Sequence, residues 1–316
     1  MSSNPSTGTK RIGLVVNPTS GKNRGMALGI EVAQRMRAAG HEVLDLSDES
    51  YAAARDRALG AIAQGLDVLA VVGGDGMVHL GVELAAETKT TLAIIAAGTG
   101  NDVARALGLP VHDPVRAADL VTTGIPRTID ALRHVDAHGG RHWFVGVLGA
   151  GFDSVVNERA NTWPWPKGQL RYTLALLREL PLFKAIPYVV TVDGVRHETR
   201  AMLVAVGNGP SYGGGMQVLP DAQMDDGLLD VLVLREISTL EFLRVFPKVF
   251  KGTHVSHPAV GVLRGRQVTL EAEGIVAYAD GERFAPLPMT LEVVPGALTV
   301  LVPAGSRASS APGHGR

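Results

Sequence analysis

The chain has 316 residues, 46% hydrophobic and 19% charged, which is apolar material for one large core or two moderate ones. With 30 Lys and Arg against 31 Asp and Glu, the formal net charge of −1 argues against a nucleic-acid partner held by bulk positive charge. The absence of Cys removes disulfides, thiolate metal sites and Cys nucleophiles, and agrees with a reducing, cytoplasmic setting.

In chain order, residues 1–9 are polar, lack an apolar signal core and read as a disordered tail. Residues 11–16 read as a strand, 24–39 as a helix stopped by Gly40, 41–46 as a strand and 50–64 as an Ala-rich helix ending at Gly65. A third strand over 67–72 runs into a helix reaching about residue 87. A fourth over 91–96 precedes another helix. This β-α-β-α order implies a parallel sheet covered by helices.

The pattern changes near Ile125-Pro126. Strands are expected at 128–133, 142–149, 188–193, 200–207, 228–234, 267–272, 289–294 and 297–302, with helices at 169–179 and 238–250. An antiparallel, β-rich second domain is the natural reading. The partition is 10–127 plus about 296–303, then 128–295, with 304–316, rich in Ser, Gly, Pro and Ala, reading as a disordered tail. No apolar run reaches about 18 residues, so no transmembrane helix is expected.

Three glycine-bearing loops follow the first, third and fourth strands. They are Asn17-Pro18-Thr19-Ser20-Gly21, Gly73-Gly74-Asp75-Gly76 and Gly98-Thr99-Gly100-Asn101-Asp102. Loops leaving parallel strands at their C-terminal ends converge on one edge, where α/β proteins bind ligands. Glycines let backbone N–H groups crowd onto phosphate oxygens, and helix N-termini add partial positive charge. Neither a Walker-type P-loop nor a G-x-G-x-x-G after the first strand is present.

The runs VVNPTSGK, VVGGDGMVH and IIAAGTGNDVARALGLP resemble the bacterial diacylglycerol kinase catalytic domain, a family related to sphingosine and ceramide kinases. GNGPSYGGGMQVLPDAQMDDGLLDVLVL and YADGE resemble its second domain. The resemblance covers residues 11–302. It implies an α/β protein with an N-terminal parallel-sheet nucleotide-binding domain of the NAD kinase/diacylglycerol kinase type and a β-sandwich-like second domain. The implied activity is ATP-dependent phosphorylation of diacylglycerol. Sphingoid-base, ceramide or other lipid-alcohol kinases, an NAD kinase-like enzyme and a non-catalytic nucleotide or lipid sensor are the alternatives.

By resemblance, Asn17, Pro18, Thr19, Ser20, Gly21, Ser47, Gly73, Gly74, Asp75, Gly76, Met77, Gly98, Thr99, Asn101 and Asp102 surround ATP. Asp75 and Asp102 beside a triphosphate would need Mg²⁺ between them; both could instead cap helices. Met77 and His79 depart from the family, which has a Thr and an Asn there. His79 is either a polar replacement or a helix-surface His. Glu282, in Asp280-Gly281-Glu282, is the implied proton acceptor, although Asp-Gly is also a plain hairpin turn. A structural Mg²⁺ is implied at the Asp226 side chain and the carbonyls of Gln223 and Leu228.

Trp163-Pro164-Trp165-Pro166-Lys167 and the Leu- and Arg-bearing helix behind it read either as a membrane-surface contact that delivers lipid, or as core packing or a homodimer contact.

Overall fold

The computed structural model describes residues 8–17, 25–111, 113–163, 165 and 169–306. The N-terminal part runs β1 (Arg11–Val16), α1 (Gly25–Ala38), β2 (Glu42–Asp45), α2 (Tyr51–Ala63), β3 (Val68–Gly73), α3 (Asp75–Ala85), β4 (Thr91–Ala96), α4 (Asp102–Ala106) and α5 (Pro114–Thr123). The strands pair in parallel in the order β2-β1-β3-β4. Every residue of β3, VLAVVG, is buried, as a strand covered on both faces requires. Val32, Met36, Ala117 and Val121 of α1 and α5 pack with Ile12, Ala70 and Ile95 on one face. Ala58 of α2 and Val78 of α3 pack with Val15, Leu69 and Ile94 on the other. Side chains start two of the helices: Ser50 Oγ accepts the Ala53 N–H, and an Asp113 carboxylate oxygen accepts that of Arg116.

The C-terminal part runs β5 (Ile125–Val135), β6 (Arg141–Phe144), β7 (Val147–Gly151), α6 (Phe152–Thr162), α7 (Gln169–Glu179), β8 (Ile186–Val192), β9 (Val195–Gly207) and β10 (Leu229–Arg235). It continues with α8 (Thr239–Val249), a 3₁₀ turn (Thr253–Ser256), β11 (Val260–Gly265), β12 (Gln267–Glu271), β13 (Val276–Ala279), β14 (Glu282–Pro286) and β15 (Met289–Val302). Its strands pair with one another antiparallel. Hydrogen bonding does not stop at the junction of the two parts. The start of β15 pairs with β12, and further along Val300 pairs in parallel with Leu92 of β4, so one ladder runs through both. The cores join at the same junction: Ile129, Trp143, Val145 and Met224 pack with Leu69 and Ile94, while Phe144, Val190 and Leu291 belong to a separate cluster of the C-terminal part.

The structure departs from the sequence reading in three places. Residues 142–149 form two strands, β6 and β7, because at Val145-Gly146 the chain leaves β5 and enters the β9 and β13 pairings. Residues 289–294 and 297–302 are one strand with a bulge between Val294 and Leu298. Buried Asp130 holds that bulge by accepting the Gly296 N–H at 2.8 Å and, on its other oxygen, the Gly227 N–H at 2.7 Å. Third, two helices, α4 and α5, stand where one is expected after β4, and α6, β11, β13 and β14 have no counterpart among the expected elements.

Candidate active site

The glycine loops meet at the C-terminal edge of the parallel sheet. The Asn17 N–H donates to Val72 O at 3.0 Å and the Ala97 N–H to Gly73 O at 2.8 Å, which ties the loops after β1, β3 and β4 together. A Cβ at Gly74 would stand 3.2 Å from the Gly98 Cα, so the two backbones touch where only glycine fits without displacement. Pro18, Thr19, Ser20 and Gly21 lie outside the described residues. Thr99 is exposed at the rim.

Asp75 organises this edge. Its Oδ2 accepts the Asn101 N–H and its Oδ1 the Asp102 N–H, both at 2.8 Å. Asn101, in the left-handed region at φ 56°, closes the loop on itself: its side-chain amide donates to Gly98 O at 2.9 Å and accepts the Gly98 N–H at 3.1 Å. Burial and then the neighbouring Asp102 carboxylate push the Asp75 pKa up. The helix caps are Gly74 and Asn101, not the two acids.

Asp102 is committed elsewhere. Its Oδ1 accepts the Gly215 N–H at 2.7 Å and the Ser211 hydroxyl at 3.3 Å, and its Oδ2 accepts the Gly214 N–H at 2.7 Å. The run Tyr212-Gly213-Gly214-Gly215 can curl its N–H groups onto one carboxylate because Gly213, Gly214 and Gly215 have φ of 65°, 84° and 100°. That glycine run was legible in the sequence, but its partner was not. A continuous chain of hydrogen bonds thus leads from Asp75 through the 98–102 loop to the C-terminal part.

Other expected nucleotide residues take structural positions. The Met77 side chain is buried in the core beside Gly73, which leaves only its backbone near the loop. Ser47 Oγ accepts the Val16 N–H at 3.0 Å and fixes the end of β1. His79 is not on the helix surface. It is half-buried, its ring lies edge-on to Phe284 of β14 at 6.4 Å, and burial lowers its pKa to about 4.

The hairpin β13-β14 brings the second carboxylate. Asp280 and Gly281 occupy its two-residue turn at φ 50° and 88°, the primed-turn geometry that Asp-Gly favours. This turn sends the two acids in different directions. Glu282 reaches the N-terminal part: a Cβ at Gly76, in the first turn of α3, would be 2.8 Å from its Oε1. Asp280 turns inward, and its Oδ1 accepts the Val147 N–H at 3.1 Å while its Oδ2 is buried without a partner among the described residues. Gly146 makes the room, since a Cβ there would collide with Asp280.

Burial, and then the Asp75 charge, raise the Asp280 pKa to about 7. Its folded value thus exceeds the unfolded 3.8, so the folded state binds more protons between those limits and loses stability as pH rises from about 4 to about 7. Asp280→Asn keeps the acceptor for Val147 and removes the ionisation. The fall in melting temperature across that window is expected to be shallower in Asp280→Asn than in the parent; parallel curves would refute it.

In the turn before β10, arginines meet the acids. Asp226 Oδ1 accepts the Leu228 N–H at 3.1 Å and its Oδ2 receives Arg264 Nη2. Arg264 Nε lies 3.0 Å from Asp230 Oδ1, and Arg127 Nη2 is 2.6 Å from Asp225 Oδ2. Among the described residues, no group of three or more His, Cys, Asp or Glu is arranged to hold a metal ion.

Residues 11–134 match the family model described as the diacylglycerol kinase catalytic domain, and residues 146–302 match the YegS C-terminal NAD kinase beta sandwich-like domain. A diacylglycerol kinase of Mycobacterium tuberculosis (strain CDC 1551 / Oshkosh) is 40% identical over 93% of this chain and 95% of its own length. One from Bacillus subtilis (strain 168) is 29% identical over 88% and 92%. A crystal structure from Bacillus anthracis str. Sterne, of a protein provisionally named a diacylglycerol kinase, superposes with a TM-score of 0.79 at 25% identity. It covers 97% of this chain and all of that one (100%).

Proposed function

The chain belongs to the diacylglycerol kinase catalytic domain family, and from that premise we propose that it transfers the γ-phosphoryl group of ATP to a lipid hydroxyl, with diacylglycerol as the favoured acceptor and phosphatidic acid as the product. Residues 10–127 with 296–303 would bind the nucleotide and residues 128–295 the lipid. The observation that carries the reading is the approach of Glu282 to the first turn of α3 at the glycine loops. A base supplied by the C-terminal part then faces phosphates held by the N-terminal part.

In this scheme the triphosphate lies against the loops at Asn17, Gly73–Gly76 and Gly98–Asn101, where glycine backbones allow close approach. The lipid hydroxyl oxygen bonds to the γ-phosphorus as the bond to the β–γ bridging oxygen breaks. Glu282 takes the hydroxyl proton, and ADP leaves with the electron pair of the broken bond. Mg²⁺, when bound with ATP, would neutralise charge on the phosphate oxygens. Asp75 fits that ion, because each of its oxygens keeps a lone pair beyond the backbone hydrogen bond it accepts. Asp102 would act at one remove, by fixing the 98–102 loop against the 211–215 loop.

The Gln223, Asp226 and Leu228 turn fits a second Mg²⁺ poorly, because the Arg264 guanidinium already sits on Asp226 and Asp230. Mg²⁺ is therefore assigned to the triphosphate alone. EDTA is expected to leave the melting temperature of the nucleotide-free protein unchanged. Arg264→Met is expected to lower stability by ~1–3 kcal/mol, less than for a fully buried pair because Arg264 is 42% exposed while Asp230 is 4% exposed. An EDTA-sensitive melt that Asp226→Ala abolishes would restore the ion.

Turnover of ATP with a panel of diacylglycerol, ceramide, a sphingoid base and NAD tests the function. Phosphatidic acid as the dominant product is expected. Preference for another lipid alcohol would change the substrate, and phosphorylation of NAD alone, or of nothing, would refute a lipid kinase.

A further inference from the structure

The outward face of α8 has no part in this chemistry, yet its composition is unlike that of an ordinary solvated helix. Leu240, Leu243 and Phe250, the last just past the helix end, are 58%, 42% and 47% exposed, while Phe242 and Val245 on the inner face are buried. Arg244, Lys248 and Lys251 are exposed among the three outer apolar residues, and no ion pair to any of them occurs among the described residues. Glu241 is the one acid of the helix, and it sits 3.3 Å from His257 Nε2. Apolar and cationic residues therefore share this face with almost no negative charge.

A second apolar group lies on the same core. Phe152 packs edge-on to Phe242 of α8 at 5.5 Å and to Phe183 at 5.2 Å, and Leu182, which precedes Phe183, is 72% exposed. Leu177 of α7 is 51% exposed nearby in the chain. Leu240, Leu243 and Phe250 fall on one side of the helix, opposite Phe242 and Val245, and apolar residues gathered on one face mark an interaction site where scattered single residues would not.

Charge decides between the two simplest occupants. In a two-fold contact between copies, the same patch faces itself, which sets Arg244, Lys248 and Lys251 against their own equivalents. A bilayer bearing anionic lipid offers the opposite charge to the cations and an apolar layer to the leucines and Phe250. We infer that the outward face of α8 forms a docking surface for an anionic bilayer, with Leu240, Leu243 and Phe250 entering the interfacial layer and the cations lying at lipid phosphates. The kinase reading gives this surface its purpose, because a diacylglycerol acceptor resides in such a layer, but docking is measurable without turnover.

The test uses the full chain and sedimentation with phosphatidylcholine vesicles, with and without phosphatidylglycerol. Binding is expected only with phosphatidylglycerol and should weaken as salt is raised. Leu243→Asp with Phe250→Asp, and separately Lys248→Glu with Lys251→Glu, should each lower vesicle affinity on the order of ten-fold or more, since each cation near an anionic surface is worth about 1 kcal/mol. Both variants should phosphorylate diacylglycerol presented in detergent micelles as the parent does. Equal binding to pure phosphatidylcholine, or unchanged affinity in the Lys pair, overturns the inference. So does a dimer in sedimentation velocity that these substitutions dissolve. A parent that binds vesicles but phosphorylates no lipid would refute the kinase reading and leave the docking surface standing.

Discussion

Glu282→Gln is expected to keep ATP affinity and to lower lipid phosphorylation by ~10²–10⁴-fold, the usual contribution of a positioned base. The substitution preserves size and hydrogen bonding and removes the basic oxygen. The geometry separates this effect from that of the neighbouring acid. Glu282 is exposed to the cleft and reaches Gly76, whereas Asp280 faces inward and accepts the Val147 N–H. Asp280→Asn should therefore change the pH dependence of stability more than it changes turnover near neutral pH. The check is ATP affinity by calorimetry beside phosphatidic acid formation for both variants. If Glu282→Gln turns over like the parent while Asp280→Asn is dead, the base is Asp280. If both stay active, the proposed cleft chemistry fails.

Asp75→Ala is expected to abolish measurable turnover and also to loosen the nucleotide edge. Removing the carboxylate strands the N–H groups of Asn101 and Asp102, at about 1–3 kcal/mol for each buried donor left unpaired. The loss would spread, because the Asp102 carboxylate grips Gly214 and Gly215. Asp75→Asn separates the two roles. It retains one acceptor oxygen and so should keep much of the fold, while losing the charge needed beside a metal–triphosphate, a change on the order of 10²–10³-fold in rate. Melting curves and kinetics for both variants provide the check. A fully active Asp75→Ala would remove Asp75 from the site, and an Asp75→Asn as active as the parent would confine it to a structural role.

Much of the N-terminal architecture was legible because its signals are local. Apolar runs such as VLAVVG, stopped by glycines and alternating with helical patterns, can form buried parallel strands and little else. The residues 11–16, 91–96 and 169–179 form elements with the bounds that the sequence suggests. Asp-Gly at 193–194 is the β8-β9 turn for the same reason, with φ of 47° and 83°. The glycine loops that follow the strands in sequence come together at one edge of the sheet, as parallel strands require.

What the sequence could not convey is the set of pairings between distant residues. Nothing local says that the acid in GTGND takes the N–H groups of a glycine run more than 100 residues later, or that Arg264 lies on Asp226 and Asp230. The same holds for β13 and β14: they are short and weakly patterned, and β13 becomes a strand by pairing with β7. Met77 and His79, which in sequence read as losses from a nucleotide loop, are claimed by the core and by Phe284. Residue type and spacing determine which elements form and which chemical groups are available. The long-range pairing of the strands decides which side chains are consumed as structural acceptors and which, like Glu282, remain at the cleft.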